Sequence, residues 1–264
     1  MNQTERRMFL IQKLLDEQPR YKDMEIPQDK TEQKRLLRSL FNIRSPKKIS
    51  DDFLSVQDEY LQEETAVKGI TDLADLSPVS KDIYLWQGDI TTFRCDAIVN
   101  AANRGMTGCY APCHGCIDNC IHTYAGIQLR LECAKIMQKQ GHEEETGKAK
   151  ITSAYNLPCK YVIHTVGPII SAGNEPTKRD KELLASCYRS CLELAEQNGV
   201  RSIAFCCIST GEFHFPNDKA AEIAVQTVKD YKEQTNSHME VIFNVFKDVD
   251  YEIYRGLLGS DQQT

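Results

Sequence analysis

No apolar run in the 264-residue chain approaches the roughly 20 residues that span a bilayer, which excludes a protein built on membrane helices. The opening residues, "MNQTERRMFLIQKLLDEQ", lack a basic segment leading into a long apolar core, and they lack a small-residue cleavage site. No export signal is read there, so a cytoplasmic protein is expected. Positive charge is in deficit as well: 32 Lys and Arg stand against 38 Asp and Glu, a formal net charge of −6. Such a chain has no global attraction for nucleic acid or an anionic membrane, and an anionic ligand would have to be held by local devices such as backbone amides or a metal. Also missing are a Walker-type Gly-Lys-Ser/Thr and a Gly-x-Gly-x-x-Gly loop. Nucleoside triphosphate hydrolysis and ordinary dinucleotide oxidoreduction therefore find no support. No internal repeat or low-complexity tract appears.

What is present divides into two textures. Residues 1 to about 75 read as polar helices. Met8, Leu10, Ile11, Leu14 and Leu15 recur near a 3.6-residue period, as do Leu36, Leu37, Leu40 and Phe41. A third helix, in "SDDFLSVQDEYLQEETAVKG", opens on a Ser-Asp cap and closes at Gly69. From about residue 80, β-rich runs alternate with amphipathic helices. "DIYLWQG", "DAIVNAAN", "KITSAYNL", "KYVIHTVG", "SIAFCCIST" and "EVIFNVF" read as strands, several apolar enough to be buried on both faces. "IDNCIHTYAGIQLRLECAKIMQ", "KRDKELLASCYRSCLELAEQNG" and "PNDKAAEIAVQTVKDYKEQ" read as the helices between them. This alternation predicts an α/β sandwich on a largely parallel sheet, at 79–260, preceded by a helical extension at 1–78.

In such a sheet ligands sit at the carboxyl ends of the strands. Three loops that follow expected strands carry polar or glycine-rich chemistry: "QGDIT" at 87–91, "NAANRGMTG" at 100–108 and "ISTGEFHFP" at 208–216. The last places Ser209, Thr210 and Gly211 just before a helix, where small residues and successive amides can hold phosphate without a basic side chain.

Eleven cysteines are a high count, and a reducing cytosol argues against disulfides. Cys95, Cys133, Cys159, Cys187, Cys191, Cys206 and Cys207 lie in apolar or helical contexts and read as small core residues. The stretch "GCYAPCHGCIDNCIH" is different. It offers Cys109, Cys113, His114, Cys116, Cys120 and His122, all groups that zinc prefers and more than one tetrahedral site can use. Four cysteines would make a closed staple; three ligands would leave a position open for water or substrate. Cys116 and Cys120 can share a helix face, whereas His122 is turned about 200° from Cys120 at ~100° per residue. In the tight turn "APCHG", Cys113 and His114 should point in different directions. Of the remaining histidines, His164 reads as a satisfied strand residue, His142 and His238 as solvated, and His214 as shaping its loop.

Taken together, "GDIT" at 88–91, "NAAN" at 100–103, "GCIDNCIH" at 115–122 and "STGEF" at 209–213 resemble the macrodomain family of ADP-ribose-binding modules. The resemblance covers residues 80–260 and implies a three-layer α/β/α fold with a mixed, largely parallel sheet. "IDNCIHTYAG" is similar to the mono-ADP-ribosylhydrolase branch, with Asp118 at the place of its catalytic aspartate. Where that branch has a run of glycines, this chain has "GCYAPCHGC", which resembles the zinc-containing macrodomains of bacteria and some fungi. That subgroup also carries an N-terminal extension, and it implies Cys109, His114 and Cys116 as ligands of Zn2+. By the same resemblance, Asp89 and the Ile90 amide would hold adenine, with Phe246 stacking on it. Asn103 would contact the distal ribose and orient it for reaction. The amides of Ser209, Thr210, Gly211, Glu212 and Phe213 would hold the diphosphate. The expected substrate is mono-ADP-ribosylated protein, esterified on an acidic side chain. The resemblance further implies a sirtuin-like ADP-ribosyltransferase and a lipoylated carrier protein as partners, with neither nucleic acid nor membrane. The rival expectation is a reader that binds ADP-ribose without turnover, its zinc a staple; a third is a zinc-stabilised pocket for another nucleotide-derived metabolite.

Overall fold

The structure, a computed structural model, describes residues 1–21, 23–171 and 173–259; residue 260, the expected last residue of the larger domain, lies outside them. Three helices come first, α1 (Gln3–Asp16), α2 (Lys30–Ile43) and α3 (Asp51–Lys68). Asn2, Asp29 and Ser50 each accept first-turn N–H groups that would otherwise be orphaned, and Glu5 returns the bond to Asn2. Gly69 ends α3 at a φ of 90°, a conformation that costs a glycine little. The apolar faces meet in a core of their own, in which Leu10, Ile11, Leu14, Leu37, Leu40 and Phe53 are buried and Ile127 joins from the larger domain.

The extension ends with β1 (Thr71–Asp72), and the larger domain follows in the order β2 (Ile83–Gln87), β3 (Phe93–Arg94), β4 (Ala97–Ala101), α4 (Ile117–Ala125), α5 (Ile127–Gln140), β5 (Ala149–Ser153), β6 (Tyr161–Thr165), α6 (Lys178–Gln197), β7 (Ser202–Phe205), α7 (Asn217–Thr235), β8 (Glu240–Val245) and α8 (Asp248–Gly259). Six strands form one sheet in the order β2-β8-β7-β4-β6-β5, parallel except for the antiparallel edge strand β5. Helices cover both faces, giving the three layers, and a continuous core runs through β4, β6, β7 and β8 to Leu184, Tyr188 and Leu192 of α6. All five parallel strands point the same way, so the segments after β2, β4, β6, β7 and β8 gather at one end of the sheet.

The structure departs from the sequence expectations at three places. The helix expected over "IDNCIHTYAGIQLRLECAKIMQ" is broken into α4 and α5 at Gly126, whose φ is 98°. A Cβ there would stand 2.7 Å from the side chains of Gln128 and of Gln57 in α3, and Gln57 Oε1 accepts the freed N–H of Ile127. The terminal helix α8 was not anticipated; it buries Asp250, Tyr254 and Leu258 on one stripe. A two-residue parallel pair, β1 with β3, ties the end of the extension to the larger domain.

Candidate active site and metal centre

Asp118 lies in the first turn of α4, facing the end of β4, and is 4% exposed. Two amides aim it: Asn100 Nδ2 donates to Oδ1 at 2.8 Å and Asn103 Nδ2 to Oδ2 at 3.1 Å. Burial lifts the carboxyl to about 6, against these donors and the charge of Arg130. A carboxylate so placed is ionised near neutrality yet basic enough to take a proton. Asn103 also donates to Gly108 O and accepts from Gly105 N–H, so its amide is locked across the loop.

The turn before α4 brings together the Cys109, His114 and Cys116 ligand atoms, all within 4.8 Å of one another. Cys109 Sγ and His114 Nδ1 are 3.8 Å apart. Tetrahedral zinc with a thiolate at ~2.3 Å and an imidazole at ~2.1 Å requires a separation of about 3.6 Å, so the geometry fits that ion. Cys116 caps α4, its Sγ accepting the Asn119 N–H, and burial with the neighbouring Cys109 and Asp118 pushes its thiol up to about 12. On the far side of the His114 ring, Nε2 lies 3.6 Å from Glu212 of the 209–213 loop.

Cys113 and Cys120 are not in this cluster. Cys113 adopts a φ of 53°, which costs a non-glycine residue about 1–2 kcal/mol, and this reverses the chain so that its thiol meets Ser39 Oγ and Arg35 O while His114 turns the other way. Cys120 faces Arg38 Nη2 at 3.5 Å.

A second set of metal-type side chains, His122, Cys133 and His164, is wholly buried beneath Asp118. His164 already uses both nitrogens, one toward Asn100 Nδ2 and one toward Thr152 Oγ1, and burial holds it down at about 3. It is the satisfied strand residue its sequence context suggested. The His122 ring fills the space that a Cβ on Gly108 would take, 2.7 Å away.

The remaining expected residues lie at the same carboxyl end of the sheet. Asp89 precedes a single 3-10 turn; Thr91 donates to its Oδ1 by backbone and hydroxyl, and Lys68 reaches Oδ2 at 3.1 Å. Burial opposes ionisation of Asp89, but Thr91 and Lys68 outweigh it and hold the carboxyl below its usual range. Ile90 buries its side chain, and its N–H donates to no protein group among the described residues. Gln87 pairs with Val245, so Gly88 and Phe246 emerge side by side, with Phe246 75% exposed. At 209–213, Ser209 takes a φ of 66° and packs against Gly167, while Thr210 Oγ1 donates to Cys207 O. The N–H groups of Gly211, Glu212 and Phe213 donate to no protein group among the described residues, and α7 opens at Pro216 without a side-chain cap. These free donors suit a diphosphate. His142, His214 and His238 are exposed.

Sequence reasoning missed Asn100, Arg130, Lys68 and Arg38. Asn100 stood within the quoted "NAAN", but a strand-end amide shows its direction only when its strand is placed; the other three carry no motif at all.

A six-stranded mixed sheet between helix layers, with a carboxylate-bearing helix and a glycine-containing amide loop at its carboxyl end, defines a class of protein, and comparison agrees with it. The family model described as the Macro domain matches residues 99–224. The chain belongs to the macrodomain family. It is 62% identical over 263 residues to a protein of Treponema medium named protein-ADP-ribose hydrolase, covering 98% of this chain and 100% of that one. It is 53% identical to a Staphylococcus aureus protein of the same name, over 86% of this chain and 85% of that one. Among solved structures, the Trypanosoma brucei macrodomain in complex with ADP-ribose aligns with a TM-score of 0.65 at 30% identity, covering 84% of this chain and 95% of that one.

Proposed function

We propose that this chain is a protein-ADP-ribose hydrolase that releases mono-ADP-ribose from acidic side chains, with zinc held by Cys109, His114 and Cys116. The observation that carries this reading is the juxtaposition of a buried, doubly aimed Asp118 with a three-ligand cluster that ends two residues before it. Its support from relatives is the shared name of proteins that match along nearly the whole chain.

Phe246, Asp89 and the Ile90 amide receive adenine beyond the ends of β2 and β8. The 209–213 amides and the start of α7 take the diphosphate, which lays the distal ribose toward Asp118. Asn103 orients that ribose, and Asp118 accepts a proton from the attacking water. Hydrolysis puts the hydroxyl on ADP-ribose and restores the side-chain carboxyl. A carboxylate leaves unprotonated near neutral pH, so an ester needs a base and an orienting cation but no dedicated acid. That is the set this site offers, and it favours acidic side chains as the point of attachment. When bound, zinc supplies Lewis acidity tempered by two thiolates, which makes orientation of a substrate oxygen its main contribution. Glu212 stands beside His114 Nε2, which leaves Nδ1 toward the cluster.

An enzyme that removes a modification implies one that installs it. The sirtuin-like transferase and lipoylated carrier protein implied by the resemblance are the partners this reading expects. Eleven free cysteines suit a reducing, cytoplasmic setting, and among the described residues no helix is long and apolar enough to cross a membrane.

The test is ADP-ribose release from aspartate- or glutamate-modified protein by the purified, metal-quantified chain beside a Cys116→Ala variant. Release with one zinc per chain, lost in the folded variant, is the expected result. ADP-ribose binding without release would make the chain a reader, and release independent of metal would remove zinc from the mechanism.

A further inference from the structure

The seam between the extension and the larger domain is polar, and the bonds that α2 makes across it centre on the turn from Thr107 to Cys120 and the α4 helix it opens. From α2, the Arg38 guanidinium donates to His114 O at 2.7 Å and to Asn119 Oδ1 at 2.9 Å, and also contacts Cys120 Sγ. One turn on, Asn42 Oδ1 accepts the Cys113 N–H at 2.8 Å and its Nδ2 donates to Thr123 Oγ1. Ser39 Oγ and Arg35 O hold the Cys113 thiol. Arg130 of α5 closes the arrangement from the other side. It donates to Phe41 O, Asn42 O and Arg44 O at the end of α2, and to Thr107 O and Cys109 O at the start of the turn.

Helix α2 and its partner Arg130 therefore hold backbone groups of Cys109, Cys113 and His114, which include two of the three ligand residues. The turn cannot organise itself by apolar burial: Tyr110 is 41% exposed, and Cys113 sits in the left-handed region. Three ligands separated by a tight turn lose affinity quickly if the turn relaxes, because the ion must then order the chain as well as bind it.

We propose that the N-terminal extension is a clamp for the metal turn, and that Arg38, with Ser39 and Asn42, positions Cys109, His114 and Cys116 for the ion without touching it. This rests on the zinc reading above. Arg38 is a positioning residue acting through the His114 carbonyl and Asn119. Its loss is felt in metal affinity and ligand geometry rather than in nucleotide recognition, since Phe246 and the 209–213 amides lie on other elements.

The experiment uses the full chain and three variants, Arg38→Met, Arg38→Lys and Ser39→Ala. Arg38→Met keeps the apolar stem over α2 and removes the fork; Ser39→Ala is a milder change that leaves the helix intact. Zinc affinity is read by chelator competition, ligand geometry by the absorption bands of the cobalt(II)-substituted chain, and ADP-ribose affinity by calorimetry. The expected result for Arg38→Met is a zinc dissociation constant raised about 10–100-fold, the range seen when outer groups that orient metal ligands are removed. Its cobalt spectrum should be altered and its ADP-ribose affinity unchanged. Arg38→Lys should recover part of the loss, because one ammonium can reach the His114 carbonyl but cannot also bridge Asn119. Should Arg38→Met fail to fold, Ser39→Ala decides by the same readouts, with a smaller shift. A wild-type chain that binds no zinc overturns the zinc reading and the clamp together. A wild-type chain that binds zinc, with variants of equal affinity and identical cobalt spectra, overturns the clamp alone.

Discussion

The extension and the larger domain solve the same problem, burying apolar surface, by different means. The larger domain buries strands on both faces between helix layers, and its core runs unbroken from Ile83 to Leu258. The extension is three amphipathic helices whose stripes meet in a separate cluster around Leu10, Ile11, Leu14 and Phe53. Where they touch, apolar contact is minor and hydrogen bonds dominate: Gln57 to Ile127, Asn42 to Thr123, Arg38 to Asn119 and Arg130 to α2. Apolar contact is indifferent to direction, whereas hydrogen bonds fix it. The large core thus supplies stability, and the polar seam supplies geometry at the turn that carries the metal-type ligands.

That division of labour can be broken at several points. The largest effect is expected from Asp118→Ala, which removes the carboxylate aimed by both Asn100 and Asn103. Turnover of modified protein should fall by about 10²–10⁴-fold. ADP-ribose binding by calorimetry and zinc content should persist, and unchanged turnover would remove Asp118 from the chemistry.

Next comes Phe53→Ala, in the core of the extension and fully buried. Truncating a buried phenylalanine costs about 3–5 kcal/mol. If the two cores are independent, denaturant should unfold the extension of this variant first, releasing zinc while the larger domain still binds ADP-ribose. A single coincident transition by all probes would show instead that the seam couples them into one unit.

A third effect belongs to the larger domain alone. Burial holds His164 at about 3, below its ordinary value of 6.5. Between these values the unfolded chain takes up a proton that the folded chain refuses, so stability is lost as pH falls from about 6.5 toward 3, by up to tenfold in the folding equilibrium for each pH unit. His164→Gln, which keeps a donor for Thr152, should flatten that slope in urea midpoints measured across this range. An unaltered slope would assign the acid sensitivity elsewhere.

The smallest effect is expected from Glu212→Gln. Glu212 is exposed and 3.6 Å from His114 Nε2, so solvent screens it. Zinc affinity should weaken by only a few fold, far less than in Arg38→Met. A larger loss than Arg38→Met shows would move the support of His114 from the extension to the 209–213 loop.

Much of this molecule was legible before folding. Strands β4 and β7 at the sheet's centre are continuous apolar runs followed by "NAAN" and "STGEF", and the edge strand β2 is followed by "GDIT", so the strand-end rule brought Asp89, Asn103 and Gly211 to one end of the sheet. Asp118, Cys109, His114 and Cys116 were singled out by the resemblance; the residues alone left six metal-type side chains between Cys109 and His122 open. The expectation that Cys113 and His114 diverge was a matter of turn geometry alone, and the structure has them diverge.

Other features were not encoded locally. Arg38 and Asn119 are 81 residues apart, and Lys68 and Asp89 lie in different domains. No period or motif links them, since a polar contact between separately folded surfaces depends on how those surfaces dock. Gly126 read as one residue of a long helix, and only the approach of Gln57 made it a break. The cluster of His122, Cys133 and His164 gathers residues from α4, α5 and β6 that look unrelated along the chain. By itself the sequence determined the elements, their order and the chemistry available at the strand ends, because propensity, periodicity and short motifs act over a few residues. Only the tertiary structure decided which cysteines face the cluster, what aims Asp118 and where the helical extension docks, because those depend on contacts between segments far apart in the chain.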